Sequence, residues 1–192
     1  MKSLQLSKPH LLVVIGIPGA GKSAFATAFA KMFTAPLIDY AEVLQLAGDG
    51  SLAKTFIDYT TRQLLMTQQT IVIDGPGNKA KDRREFVNLA LKHGYATVFV
   101  WVQTEQATAE NRAVHSRTAT MTLDQFDEGV LAFENPTKGE PVIVISGKHT
   151  YPSQARTVLK RLVAERPVAT ATQIKIDKAP PRTSSMRGRI IR

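Results

Sequence analysis

Residues 16–23, GIPGAGKS, bring three glycines, a lysine and a hydroxyl into the spacing G-x-x-x-x-G-K-[ST]. These are the residue types that can wrap a phosphate. Glycines let the backbone fold so that successive N–H groups converge on an anion, and a helix starting there adds the positive end of its dipole. Lys22 would reach the β and γ phosphates of ATP, and the Ser23 hydroxyl would ligate Mg2+. On this reading the nucleotide lies against Gly16, Pro18, Gly19, Ala20, Gly21, Lys22, Ser23 and Ala24. The plainer alternative is a glycine-rich strand-to-helix turn with a serine cap.

A phosphate loop of this kind needs an acid for its metal. Asp74 ends the apolar run TIVID, where a carboxylate can hold Mg2+, often through water. A turn-forming Asp-Gly is the alternative. Asp39 ends a second apolar stretch, PLID. An acid there could take the proton of an acceptor hydroxyl or orient it, and it could equally cap the helix that begins at Tyr40; the two roles are compatible.

Farther along, ENRAVHSRT carries Arg112, His115 and Arg117. Arginines in a mobile segment could close over a phosphoryl group in transfer and neutralise its charge. Five residues apart on a regular helix they would diverge by about 140°. Both reach one phosphate only if the helix breaks near His115. Solvated helix-end cations are the alternative, and His115 reads as surface. Lys22, Asp39, Arg112 and Arg117 are thus the candidate catalytic residues. Arg83 and Arg84 read as a solvated helix face, with an acceptor phosphate or nucleic-acid backbone as the other possible contact. Residues 146–149, SGKH, occupy a strand end where a base could be held.

The elements that must position these groups follow from hydrophobic pattern. Residues 11–15, 36–38, 70–74, 96–102 and 142–145 read as strands, the first buried on both faces. Helical spacing predicts helices over 23–33, 40–46, 52–68, 79–93, 105–115, 123–133 and 153–163, with Phe25, Phe29 and Met32, and later Phe86, Leu89 and Leu91, facing inward. Strands alternating with helices predict parallel βαβ units in a three-layer α/β sandwich.

A chain of 192 residues, 43% hydrophobic and 21% charged, suffices for one domain with a buried core. With no cysteine it has no disulfide, thiol nucleophile or thiolate metal site, which fits a cytoplasmic setting. Lys2 and Lys8 before an apolar stretch imitate a secretory signal, but that stretch is short and runs straight into the phosphate-binding pattern. Nothing approaches the length of a membrane span. The net charge of +9 is concentrated at one end: residues 166–192 hold seven basic residues against one acidic, so about +6 of it belongs to a Pro- and Ser-containing tail. The expected organisation is a domain over 1–165 and this tail over 166–192, mostly extended and partly disordered, with residues 173–176 and 189–192 as possible edge strands.

GIPGAGKS, the Asp39 strand end, IVIDGPGNKAKDRREFVNLALKHGYATVFVWVQT, ENRAVHSRT and FENPTKGEPVIVISG together resemble the polynucleotide-kinase-like P-loop kinases, a group often labelled AAA-type ATP-binding proteins. The resemblance covers roughly residues 10–164. It implies a five-stranded parallel P-loop NTPase sheet in the order 2-3-1-4-5, ATP and Mg2+ at the loop, an acid near Asp39 facing the acceptor hydroxyl, and lid arginines like Arg112 and Arg117. Where relatives often have Asp-Thr-Asn after the third strand, this chain has Asp74-Gly75-Pro76, with Asn78 displaced. The lid is also short. Neither the arginine-finger region nor the small helical domain of a ring ATPase is found, so a motor is not expected.

The function expected from these residues is transfer of the ATP γ-phosphoryl to a hydroxyl of a nucleic-acid 5′ end, a nucleoside or a small metabolite. Two alternatives share the loop: a nucleotide-binding module or slow ATPase whose basic tail grips nucleic acid, and a toxin-like sugar-nucleotide kinase. No membrane partner is expected.

Overall fold

The computed structural model describes residues 8–117, 119 and 121–164. The expected tail at 166–192, with its two possible edge strands, lies outside the described residues. Five strands, β1 (His10–Ile15), β2 (Leu37–Asp39), β3 (Ile71–Asp74), β4 (Ala96–Gln103) and β5 (Val142–Ser146), form one parallel sheet in the order β2-β3-β1-β4-β5. That is the architecture and strand order implied by the resemblance.

The layers follow from strand periodicity. Successive side chains of β1 point to opposite faces, and every one of its residues is buried. Leu12 and Val14 meet α1 (Lys22–Phe33) and α7 (Tyr151–Ala164) through Phe25, Phe29, Val158 and Leu162. Leu11, Val13 and Ile15 meet α3 (Gly50–Leu65) and α4 (Ala80–Lys92) through Ile57, Leu65, Phe86 and Ala90. A sheet apolar on both faces must be covered twice, and each large side chain buried this way contributes about 1.5–3 kcal/mol. The short helix α2 (Tyr40–Ala47) leads from β2 towards α3.

Above the carboxyl edge sits a small separate cluster. Here α5 (Gln106–Glu110) runs into a π-helical turn (Asn111–His115), followed by α6 (Leu123–Leu131). Ala109, Ala113 and Phe126 form its core, and Ile17 of the phosphate-binding loop packs against it. This lid therefore rests on the loop itself.

Several expectations are corrected. The single helix expected over 105–115 is α-helical only to Glu110 and changes to π geometry. Met32 and Leu91 are exposed because Phe29 and Ala90 hold the inward positions in those turns. Arg83, read as a solvated cation, is 1% exposed. It lies beneath the loop after β3 and donates to the carbonyls of Gly77 and Glu134 at 3.0 Å, so it is bonded within the protein and not solvated. No helix among the described residues is long and apolar enough to cross a membrane.

Candidate functional site

Helix α1 begins at Lys22 with Gly21 as its N-cap, in a left-handed conformation and with no side-chain cap. Ser23 is thus the second helical residue and does not cap the helix. The first amides of an uncapped helix lack intrahelical partners, which is the condition for holding an anion. Lys22 Nζ donates to the Ile17 carbonyl at 2.9 Å, folding the ammonium back over the loop, while Ser23 and Ala24 are exposed.

The remaining loop residues are held from outside. Ala20 is fully buried, and its carbonyl accepts a hydrogen bond of 2.9 Å from the Thr104 hydroxyl. Gly19 has φ +69, and a Cβ there would come within 2.0 Å of the Ala109 carbonyl in the lid. Only glycine meets both demands. Pro18 abuts Gly129 of α6 so closely that a Cβ on Gly129 would lie 2.5 Å from its ring. Gly16, where β1 gives way to the loop, approaches the Val102 carbonyl in the same manner.

Both acids stand beside the loop. Asp39 and Asp74 are register partners across β2 and β3, and Val14 is paired with Asp74 on the other side. Asp74 is 3% exposed, and its Oδ1 has no hydrogen-bond partner among the described residues. Burial pushes its carboxyl above the ordinary range; the Ser23 side chain and the Lys22 ammonium pull it back, and the charge of Asp39 adds to the rise. Burial in turn holds the Lys22 ammonium below its ordinary value, opposed by the charge of Asp74. A buried carboxylate oxygen without a hydrogen-bond donor, next to a serine hydroxyl, offers the oxygen ligands a hard divalent cation takes. The residues present therefore fit Mg2+.

Asp39 is half-buried and caps α2: Oδ1 accepts from the amides of Ala41 at 2.9 Å and Glu42 at 3.2 Å. Both cap bonds go to that one oxygen, which leaves Oδ2 outside the cap. The cap reading holds, and it does not consume the carboxylate.

Arg112 reaches the loop. Its Nη1 donates to the Gly147 carbonyl at 3.1 Å and lies 3.9 Å from where a Cβ on Gly21 would be. The helical turns end at His115, and Ser116 is extended with φ −75 and ψ 160. Arg117 lies exposed beyond that break, and no described contact joins it to the loop. His115 is exposed and pairs with Glu110 at 3.5 Å. Thr104 and the close approach of Gly147 to the Ala20 carbonyl, 2.3 Å from a Cβ on that glycine, carried no signal in the sequence because both contacts join segments far apart in the chain.

Two openings adjoin the loop and the acids. One, of about 600 Å3, lies between the ends of β4 and β5 and is lined by Ile17, Trp101, Thr104, Phe133 and Lys148 among others. The second, of about 450 Å3, runs between α3 and α4 and includes Tyr40 and Pro76, which flank the two acids in sequence.

Comparison with known proteins bears on the family and the fold. A family model described as an AAA domain matches residues 11–136. No curated protein matches the chain. Among solved structures, a gluconokinase from Sinorhizobium meliloti 1021 superposes with a TM-score of 0.63 at 18% identity, covering 81% of this chain and 93% of that one. A sugar kinase from Janibacter sp. HTCC2649 gives 0.61 at 13% identity, covering 82% and 96%. A chain of the Pnkp1/Rnl/Hen1 RNA repair complex gives 0.57 at 15% identity, covering 67% of this chain and 45% of that one. These likenesses are in fold: a P-loop kinase fold with a five-stranded parallel sheet. With the loop, both acidic strand ends and the lid all inside the matched region, the chain belongs to the AAA domain family.

Proposed function

We propose that this chain is a cytoplasmic ATP- and Mg2+-dependent kinase that transfers the γ-phosphoryl of ATP to a hydroxyl acceptor, with residues 1–165 as the catalytic unit and 166–192 as a basic tail. The observation that carries it is the pairing of Asp39 with Asp74 on the strand edge beside Lys22. One acid serves the metal, and a second, with a free oxygen, serves the acceptor.

The amides that open α1 and the ammonium of Lys22 hold the triphosphate, which draws Lys22 away from the Ile17 carbonyl. Ser23 and Asp74 would hold Mg2+, which when bound would offset the negative charge of the phosphates. Asp39 Oδ2 orients the acceptor hydroxyl and takes its proton, while the cap bonds to Oδ1 keep the carboxylate from turning. Arg112 swings from Gly147 to the transferred group, and Arg117 joins it from beyond the break at Ser116. Phosphoryl transfer asks little covalent chemistry of the protein, so positioning and charge account for most of the rate.

The gluconokinase and sugar kinase likenesses favour a small polyhydroxyl acceptor over a nucleic-acid end. The groove between α3 and α4, reached past Tyr40 and Pro76, is where part of it fits. The test uses γ-labelled ATP with a panel of sugars, sugar acids, nucleosides and 5′-hydroxyl oligonucleotides. Label should pass to one acceptor class and be lost in Asp39→Asn. Binding of ATP with transfer to none, and no effect of Asp39→Asn, overturns the proposal.

A further inference from the structure

The guanidinium of Arg83 lies in the first turn of α4 with its donors committed to the protein. Nε and Nη2 fork the Glu140 carboxylate, the second at 3.2 Å. Nη1 faces the carbonyls of Gly77 at 3.0 Å, Asn78 at 3.3 Å and Glu134 at 3.0 Å. Glu134 strengthens the junction twice: its carboxylate accepts from the Ala80 amide at 2.8 Å, and its own amide donates to the Asn78 carbonyl at 2.8 Å. Glu140 in turn accepts from the amide and hydroxyl of Thr137 at 2.9 and 3.1 Å.

Two segments far apart in sequence thus meet on one side chain. The first, residues 77–80, continues the loop that leaves Asp74. The second, residues 134–140, is the stem by which the lid returns from α6 to β5. A planar guanidinium can grip a carboxylate in a fork and serve carbonyls from its remaining N–H groups at the same time; a lysine ammonium cannot do both.

We propose that Arg83 is a positioning residue that locks the loop behind Asp74 to the stem of the lid, so that the metal-holding strand end and the lid share one anchor. Its consequence for catalysis rests on the kinase reading above, whereas the coupling stands on geometry alone. Arg83 touches no substrate, because it is buried.

The experiment is hydrogen–deuterium exchange on the full chain, comparing wild type with Arg83→Lys and Glu140→Gln, alongside ATP binding with and without Mg2+. Glu140→Gln should speed exchange in the peptide over 77–80 by about tenfold although the substitution lies in the other segment, and Arg83→Lys should speed both segments. Peptides over β1 and α1 should be unchanged. ATP affinity without Mg2+ should stay within about twofold, while the gain on adding Mg2+ falls by at least about fivefold. Faster exchange confined to the substituted segment, or spread equally through β1 and α1, overturns the proposal. If wild type binds no ATP, the kinase reading fails and the exchange pattern alone decides the clamp.

Discussion

Asp39 and Asp74 face each other across adjacent parallel strands, yet only Asp74 is buried, and only Asp39 has its carboxylate engaged by backbone amides. Equal chemistry in unequal surroundings separates their duties. Asp39→Asn keeps the capping oxygen and should leave the thermal midpoint unchanged, while transfer falls by about 10²–10⁴-fold. Asp39→Ala should lose the cap as well, at about 1 kcal/mol in chemical denaturation. Full transfer by the Asn variant would reduce Asp39 to a helix cap.

Asp74 carries a cost in the unliganded protein. Its folded pKa is raised above 3.8, so its favourable contribution is complete below that value and is lost as pH rises through the folded value. At neutral pH the carboxyl ionises freely in the unfolded chain, whereas burial opposes that ionisation in the folded one. Asp74→Asn should melt higher than wild type at pH 7 without Mg2+, and the gap should close in acid. The same variant should lose the effect of Mg2+ on ATP affinity, measured by calorimetry.

Glu140 behaves in the opposite sense. The hydrogen bond from Arg83 holds its carboxyl below 4.5, so the stabilisation is present above that value and disappears as pH falls through the folded value. Midpoints measured from pH 7 down to pH 3 should fall less steeply in Glu140→Gln than in wild type. Parallel slopes would show that the ion pair contributes nothing to acid unfolding.

Lys22 and Arg112 should separate binding from transfer. Lys22→Ala removes charge-assisted bonds to the phosphates, each about 1.5–3 kcal/mol, so ATP affinity should drop by roughly 10–100-fold. Arg112→Gln should spare affinity and lower turnover by about 10²-fold, and Arg117→Gln should do less, because Arg112 alone reaches over Gly21. Equal losses for the two arginines would show that Arg117 contributes at the phosphate as much as Arg112 does.

Gly75 should not tolerate the threonine that the resemblance implies at this place. It has φ +139, and a Cβ would fall 2.2 Å from that of Tyr40. Gly75→Thr should cost about 1–3 kcal/mol in urea unfolding, from backbone strain and overlap together. An unchanged midpoint would mean that Tyr40 moves freely.

The strands, the phosphate loop and the acids at strand ends were legible because each is written in a few consecutive residues whose pattern has one periodicity. Arg83 was not. On a helix whose sequence reads KAKDRREF, charge predicts solvent, and the groups that pay for its burial, Glu134 and Glu140, lie more than fifty residues later. Leu91 misled in the reverse direction, because Ala90 beside it fits the close approach of α4 to the sheet and leaves the larger residue outside. A break near His115 entered only as the condition for two arginines to share one phosphate, and the π-helical turn before Ser116 has no mark in ENRAVH. The groove between α3 and α4 depends on how two helices are spaced, which neither sequence records alone.

The abutment of Tyr40 on Gly75 also fixes how closely the end of β2 approaches the turn after β3. The atom that a side chain at 75 would meet is the Cβ of residue 40, which every residue except glycine carries, so trimming the tyrosine does not make room. The φ of +139 at 75 favours glycine whatever stands at 40. Tyr40→Ala should therefore fail to rescue Gly75→Thr, and a recovered midpoint in the double variant would show that the two backbones part.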